Sequence, residues 1–578
     1  MYPTTQFNII DNSQIFQNTE NNTIDDAPLF MQVFSADKGT EDLIEISGAD
    51  NFAAMYGTMD FFKHGQSAIQ AQNIINAGGR LFAKRVVAED SLLANLVICA
   101  NLSNIDDGKV SIKWEARSIQ NCKTFDEVKS AAADLLDPSN GVYPLIVFSD
   151  NGRGVSKKSI RITPDYPTSK TIGATFYDLK VYEGTTEIEK ISISFDPDVK
   201  VSNDSYRLDE LTSKQVTGLV MEDVYKLYLG ALSDGLLIEE AELRKYDIIF
   251  GYTNRGAVLE GFELDQEGIN LDADNGILLK EGSNGSFGDS PVGTTDWENA
   301  IAAVFNGTFS DEVYDIDQHK IAAVIDANYP LSVKNAIFDF VSFRQDCAFF
   351  RDYGVGLKTY LEIKGMHDNF AEKRNFFTGD YATSYQIKDP VSKKNIEVTM
   401  LYDMAYDLVD HIANQAFTPL AGSSNGFILR NAIKGTINFT PINTPSFNQK
   451  EAMDDIRVNY AIFEDDNCVV QSCYSSQDAY TQLSYFGNII AIQEVMRAVR
   501  TACPRQRYTL ASGSDLTNYA TAVNSVLNEF VSNFDTLRFT YTNDPLKTSQ
   551  KIFYASIEFA FLGWAQTEIF DIYAINNE

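Results

Sequence analysis

Histidine and paired cysteine are what this chain has least of. There are four His and six Cys in 578 residues, and no two Cys stand in a C-x-x-C pair. A structural zinc centre needs four such ligands at set spacings, so none is expected. Cys99, Cys122, Cys347, Cys468, Cys473 and Cys503 read as reduced thiols. Basic residues are scarce too: 47 Lys plus Arg stand against 80 Asp plus Glu, a net charge of −33. So acidic a surface repels phosphate backbones and anionic headgroups, which argues against nucleic acid and against a membrane as partners. No apolar run approaches the ~18 residues of a membrane span. The start, MYPTTQFNIIDNSQ, lacks the basic stretch and apolar core of a signal peptide. The expectation is a chain made and kept in solution.

Material for cores is ample: 44% of residues are hydrophobic, with 38 Phe and 28 Tyr. The length fits about three or four domains. Residues 1–26 are Asn/Thr/Gln-rich without an apolar period and read as an arm that needs a partner surface. Over 27–102, PLFMQVFSA reads as a strand. A helix over 66–77 then stops at Gly78-Gly79, and RLFAKRVVA follows as a buried strand. Between 103 and 240, KVSIKWEA, YPLIVFSD, KSIRITPD and EIEKISISFD alternate apolar and polar residues, which predicts a β-rich antiparallel insertion.

Over 241–420 the signals turn to α/β. Thr295 and Glu298 have capping-box spacing. KIAAVID, a helix over about 333–343 and the apolar run 347–350 follow in β-α-β order, which predicts a parallel sheet. Residues 421–578 read as α+β: a helix over 515–534 with one apolar stripe, then the strands KIFYASIEFAFLG and TEIFDIYAI.

Candidate chemistry is thin. Gly422–Gly426 matches the G-x-S-x-G elbow around Ser424, but no His follows His411 to serve as its base. The Gly282–Gly288 loop could cradle a phosphate, yet no Lys-Ser or Lys-Thr follows it. Asn270, Asp272, Asp274 and Glu281 keep EF-hand spacing, but Asn275 stands where Gly belongs; a solvated acidic loop is the simpler reading. Asp326, Arg344, Asp346 and Arg351 read as caps or ion pairs beside the β-α-β unit. No catalytic residue, metal or cofactor is assigned. One charge feature stands out: Arg497, Arg500, Arg505 and Arg507 lie in a stretch without an acid. Residues 421–578 hold 11 basic and 16 acidic side chains, net −5, against −28 for the other 420. The arginines either complement a helix C-terminus or meet an acidic partner.

The run QNIINAGGRLFAKRVVAED, with Gly78, Gly79, Arg85 and Val86, resembles the N-terminal signature of contractile bacteriophage tail sheath proteins. Three further blocks match that family in order: GTFSDEVYDIDQHKIAAVIDANYP with Arg344–Cys347, then FTPLAGSSNGFILRNAIKGTINFT, then FYASIEFAFLGWAQTEIFDIYAI. The resemblance covers roughly 27–102 and 241–578. It implies a multidomain protein that is α/β and α+β, with a subtilisin-like α/β central domain and an α+β C-terminal domain with strand-exchanging terminal arms. The partners it implies are copies of the chain itself in hexameric rings, a tail tube, and baseplate and tail terminator proteins. The location it implies is a virion assembled in a bacterial cytoplasm. The terminal residues then expected at inter-subunit strands are Phe7, Ile9, Ile10, Phe559, Phe561, Ile569, Ile572 and Tyr573. The four arginines are expected to face the tube, and the 103–240 insertion to point outward. A hydrolase built on Asp326 or Ser424, and another assembly protein such as a capsid or adhesin, are the rival readings.

Overall fold

The computed structural model describes residues 28–105, 109–140, 142–165, 176–193, 219–223, 262–264, 276–307, 311–314, 319–422, 426–464, 466–502, 513–542 and 554–562. It is a mixed α/β, multidomain protein with several sheets. Compactness divides the chain into two units. One holds Met1–Gln32, Gln70–Phe82 and Ala302–Glu578; the other holds Val33–Ile69 and Ala83–Ile301.

The first unit is organised by strands in the order Arg80–Arg85, Leu29–Phe34, Ala323–Ile325, Ala348–Asp352, Thr378–Tyr381 and Val458–Asn459. The first two strands enter this unit through Arg80–Phe82 and Leu29–Gln32. From Leu29–Phe34 onward each neighbouring pair is parallel. Such strands are covered on both faces, which is why AVI over 323–325 and AFF over 348–350 read as unbroken apolar runs. The expected β-α-β order is present: Ala323–Ile325, the helix Leu331–Arg344, then Ala348–Asp352, with Val324 opposite Phe349. Pro330 starts that helix with its fixed φ, and Gln345, at φ 59°, ends it in the left-handed region.

The Gly78-Gly79 stop has a physical reason. Gly78 sits at φ 86°, and the N–H groups of Gly78 and Gly79 donate back to the carbonyls of Ile75 and Ile74. A Cβ on Gly79 would lie 2.9 Å from side-chain carbons of both Ile74 and Val409. No larger residue fits between that helix end and its neighbour.

At the C-terminal end of this unit, the helices Phe486–Ala502 and Gly513–Phe530 pack with a hairpin of Phe534–Thr542 and Tyr554–Phe561. Val495, Val499, Val523, Leu527, Phe534 and Phe561 form the buried centre. The predicted helix over 515–534 is too long at its C-terminal end. The helix stops at Phe530, Val531 is 46% exposed in a 3₁₀ turn, and Phe534 opens a strand. The apolar stripe runs past the helix because Phe534 serves the same core from the next element.

The second unit is antiparallel and β-rich. One sheet has the order Leu219–Asp223, Val142–Asp150, Asn95–Ile105, Lys109–Arg117, Phe262–Leu264; only its last pair is parallel. The other has the order Ile277–Leu278, Lys158–Asp165, Phe176–Glu183, Thr186–Ile193. These strands extend beyond 103 and 240: Asn95–Ile105 begins before the first, and Phe262–Leu264 and Ile277–Leu278 follow the second. Gly184, at φ 61°, forms the two-residue turn between Glu183 and Thr186. Thr124 and Glu127 make a reciprocal capping box, and the helix they start, Phe125–Ala133, buries Val128 and Ala132 with Val97, Cys99 and Val147. The helix Thr295–Phe305 is capped by Thr294, whose Oγ1 accepts from the Trp297 N–H, and not by Thr295.

Cys99, Cys122, Cys347, Cys468 and Cys473 are buried and unbridged. Burial pushes the thiols of Cys99 and Cys468 up to about 12 and that of Cys473 to about 11. Among the described residues no helix is long and apolar enough to cross a membrane.

Candidate functional site

Open α/β sheets hold ligands in the crevice outside the carboxyl ends of their strands. In this chain that position carries charge. Asp326 follows the first central strand, Asp352 ends the second, and Asp380 lies on the third. The crevice is closed by Lys334, on the first turn of the helix Leu331–Arg344, whose side chain is 3% exposed. Its Nζ donates to Asp326 Oδ2 at 2.6 Å and to Asp352 Oδ1 at 2.7 Å. Asp326 Oδ1 accepts from the N–H groups of Ala327 and Tyr329, and its Oδ2 also accepts from Asp352 N–H. Asp352 accepts further from Gly354 N–H, Asn328 N–H and the Thr399 hydroxyl.

Burial, and then the Asp352 charge, push the Asp326 carboxyl up to about 7. A protonated Asp326 would have to donate, however, and every one of these neighbours is itself a donor. The geometry fits an ionised carboxylate. Burial works to lower the Lys334 ammonium, but the two carboxylates outweigh it and raise its pKa. Two charges and their counter-charge are sealed and satisfied, with no path for a substrate.

The ion pairs expected among the neighbouring residues are present. Arg351 grips Asp380 with two bonds, at 2.6 and 2.9 Å, and lies 3.9 Å over the Phe370 ring. Tyr353 donates to the same carboxylate at 3.0 Å. Arg344 pairs with Asp346 at 2.8 and 2.9 Å and donates to the carbonyls of Val313 and His319. Arg344, Arg351, Asp326 and Asp380 are at most 1% exposed. Such pairs position elements; they do not meet substrates.

Sequence reasoning did not find Lys334. The signal for it was two apolar strands, each ending in Asp, with a single cation in the helix between them.

The second unit brings together three residues that no sequence spacing suggested. His64 sits between the Ser35 hydroxyl, 3.4 Å from Nδ1, and Asp37, 3.2 Å from Nε2. They border a cleft of about 40 Å³ with Lys63, Arg85, Arg153 and Asn284 on its walls. The His64 contact, ahead of any other attraction, holds the Asp37 carboxyl down at about 2. Ser-His-acid chemistry needs a hydroxyl that a substrate can reach. Ser35 is 3% exposed, so its hydroxyl is out of a substrate's reach and the trio braces the loop.

Arg85 is equally committed: it donates to the carbonyls of Ala36, Gly39 and Arg153. The Gly282–Gly288 loop is not a free phosphate cradle either, since its Ser286 N–H already donates to Asp90 at 2.8 Å. Among the described residues no group of His, Cys, Asp and Glu could hold a metal ion.

Of the four arginines, Arg497 is half-buried and pairs with Glu494 at 2.5 Å. The Arg500 side chain, Arg505 and Arg507 lie outside the described residues, as do Ser424, Asn270, Asp272 and Asp274. Phe559 and Phe561 are on the closing hairpin, their rings 5.6 Å apart and both packed on the Phe534 ring. Phe7, Ile9, Ile10, Ile569, Ile572 and Tyr573 lie outside the described residues.

One face of the hairpin is thus filled by the chain's own helices. Its edges are another matter. Among the described residues its two strands pair with each other and with no third strand.

No protein-family model matches this sequence, and no curated protein does. Among solved structures, the chain is similar to a sheath tail protein from Desulfitobacterium hafniense. Identity is 9% over 94% of this chain and 99% of that one, with a TM-score of 0.44. It is also similar to a chain of the contracted sheath complex of an extracellular contractile injection system, at 12% identity, covering 46% and 74%, TM-score 0.37. A third is from the contracted helical sheath of the anti-feeding prophage, at 11% identity, covering 49% and 76%, TM-score 0.36. Each TM-score is below 0.5.

Proposed function

We propose that this chain is a non-enzymatic structural subunit of a contractile tail sheath. The observation that carries the reading is the closing hairpin. A lone two-stranded ribbon is marginal in water, and an open strand edge is a template for another chain. Here one face of the ribbon is packed into a core while the edge of Tyr554–Phe561 meets no strand among the described residues. Strand addition supplies main-chain hydrogen bonds to such an edge. An arm without a core of its own, residues 1–26, is the segment suited to supply it. The four sequence blocks, in family order, support the same assignment.

In this reading copies form stacked hexameric rings around a tail tube, bounded by baseplate and terminator proteins, within a virion built in the host cytoplasm. The parallel sheet is the subtilisin-like central domain. The C-terminal domain and its arginines face the tube, and the 103–240 insertion points outward. Contraction needs no nucleotide: rigid domains re-pack while strand links act as hinges.

Negative-stain images of the purified full-length chain test this. Hollow rods of stacked rings are expected; closed shells would favour a capsid. Deleting residues 1–26 should leave folded, soluble protein and no rods. Rods formed by the deleted chain would remove the arm from the scheme. A chain that remains single at every concentration would remove the scheme itself.

A further inference from the structure

The antiparallel pair Ser384–Lys388 and Asn395–Thr399 is firmly anchored. Five residue pairs hold its register, and Tyr385, Ile387, Ile396 and Val398 are buried. Its tip is cationic. Lys388, Lys393 and Lys394 are exposed, and so is Val391. The tip's single acid, Asp389, is turned inward and accepts from the Ser392 N–H at 2.6 Å. In a chain of net charge −33 the exposed charge of this tip is all positive.

The opposite arrangement occurs on the helix Gln449–Asp455, which Met453 anchors in the core. Glu451, Asp454 and Asp455 are solvent-accessible and stand at i, i+3 and i+4, the spacing that puts like charges side by side. Two of them are in the last turn, where the helix dipole disfavours negative charge. Partial burial, then the charges of Asp455 and Glu451, push the Asp454 carboxyl up to about 6. The single cation on that helix, Lys450, does not offset this.

We propose that the 384–399 hairpin tip docks on the acidic face of the helix Gln449–Asp455 in a second copy of this chain. This inference rests on the self-assembly proposed above and names one of its contacts. Charge complementarity identifies the occupant: exposed lysines on the tip match exposed carboxylates at adjacent positions on the helix. In the rings proposed above the contact repeats head to tail, and so is heterologous. Heterologous contacts generate rings or helical filaments instead of closed dimers.

The test uses the full-length chain in four forms: wild type, K388E/K393E, E451K/D455K, and all four changes together. Thermal melts establish that each is folded. Sedimentation and negative stain then give the concentration at which polymers appear. Each double variant should raise that concentration at least about tenfold, since like charges then face each other. The quadruple variant, with its charges exchanged, should return it close to the wild-type value. Double variants that polymerise like wild type overturn the contact and leave the sheath reading intact. If the doubles fail and the quadruple also fails, the helix is not the hairpin's partner and the pairing is overturned. A wild type that never polymerises overturns both the contact and the sheath reading.

Discussion

The crevice of the parallel sheet and the closing hairpin are opposites. At Asp326, Lys334 and Asp352 every polar atom named has a partner inside the chain, and water has no entry. In the hairpin of Phe534–Thr542 and Tyr554–Phe561 the side chains are packed on one face, Phe561 N–H donates to the Gln482 side chain, and among the described residues neither strand meets a third. The first region sits where α/β folds usually do chemistry and is sealed. Among the described residues the second offers no such cluster, and the edge of Tyr554–Phe561 meets no strand. In the assembly proposed above, the work falls to a backbone edge and not to a constellation of side chains.

That contrast can be broken by measuring which changes hurt the isolated chain and which hurt only its association. The largest effect on the isolated chain should come from Lys334→Met. It leaves two carboxylates buried and unpaired, at a cost of about 3–5 kcal/mol in urea unfolding. A loss under about 1 kcal/mol would mean that water reaches the crevice.

Next is His411, which is buried against Phe427, with a pKa that burial lowers to about 4. Its folded value lies below its unfolded one, so the neutral ring is the form that packs. Its contribution is complete above about pH 6.5 and is lost as pH falls toward 4. At about pH 4.5 this amounts to about 2.5 kcal/mol. Subtracting the unfolding curves of His411→Leu from those of wild type across that window should recover the slope.

Thr359→Ala removes a capping box shared with Glu362 and should cost about 1 kcal/mol in the same assay. The smallest effect on the isolated chain should be that of replacing Arg497, Arg500, Arg505 and Arg507 by Glu. The Arg497–Glu494 pair is partly exposed, so its loss should cost about 0.5 kcal/mol or less. Assembly on tubes should nevertheless disappear. Normal sheaths from that variant would free the arginines of any tube-facing role.

Much of the architecture was legible in the sequence, and the reasons are local. KIAAVID and the run 347–350 read as parallel strands because strands covered on both faces carry no polar alternation. Gly78-Gly79 read as a stop because a positive φ and a tight approach both require glycine. The helix end at Phe530 was not legible, since Phe534 keeps the apolar rhythm while belonging to a strand. The strand Asn95–Ile105 was cut because composition changes within it.

The crevice was half legible. Asp326, Arg344, Asp346 and Arg351 were visible as charges among apolar residues, whereas Lys334 was not singled out, because a lone lysine in a helix carries no sign of its burial. The Ser35–His64–Asp37 trio was invisible because 27 residues of chain separate its histidine from its acid. No spacing rule covers such a join.

The sulfur chemistry has a consequence of its own. Each of the five thiols described is enclosed, and burial keeps it from ionising. Thiolates, not thiols, attack disulfides and peroxides. None of the five can therefore stitch one copy to another by accident. If copies of this chain pack side by side as proposed, these five positions leave them uncrosslinked when oxygen reaches them.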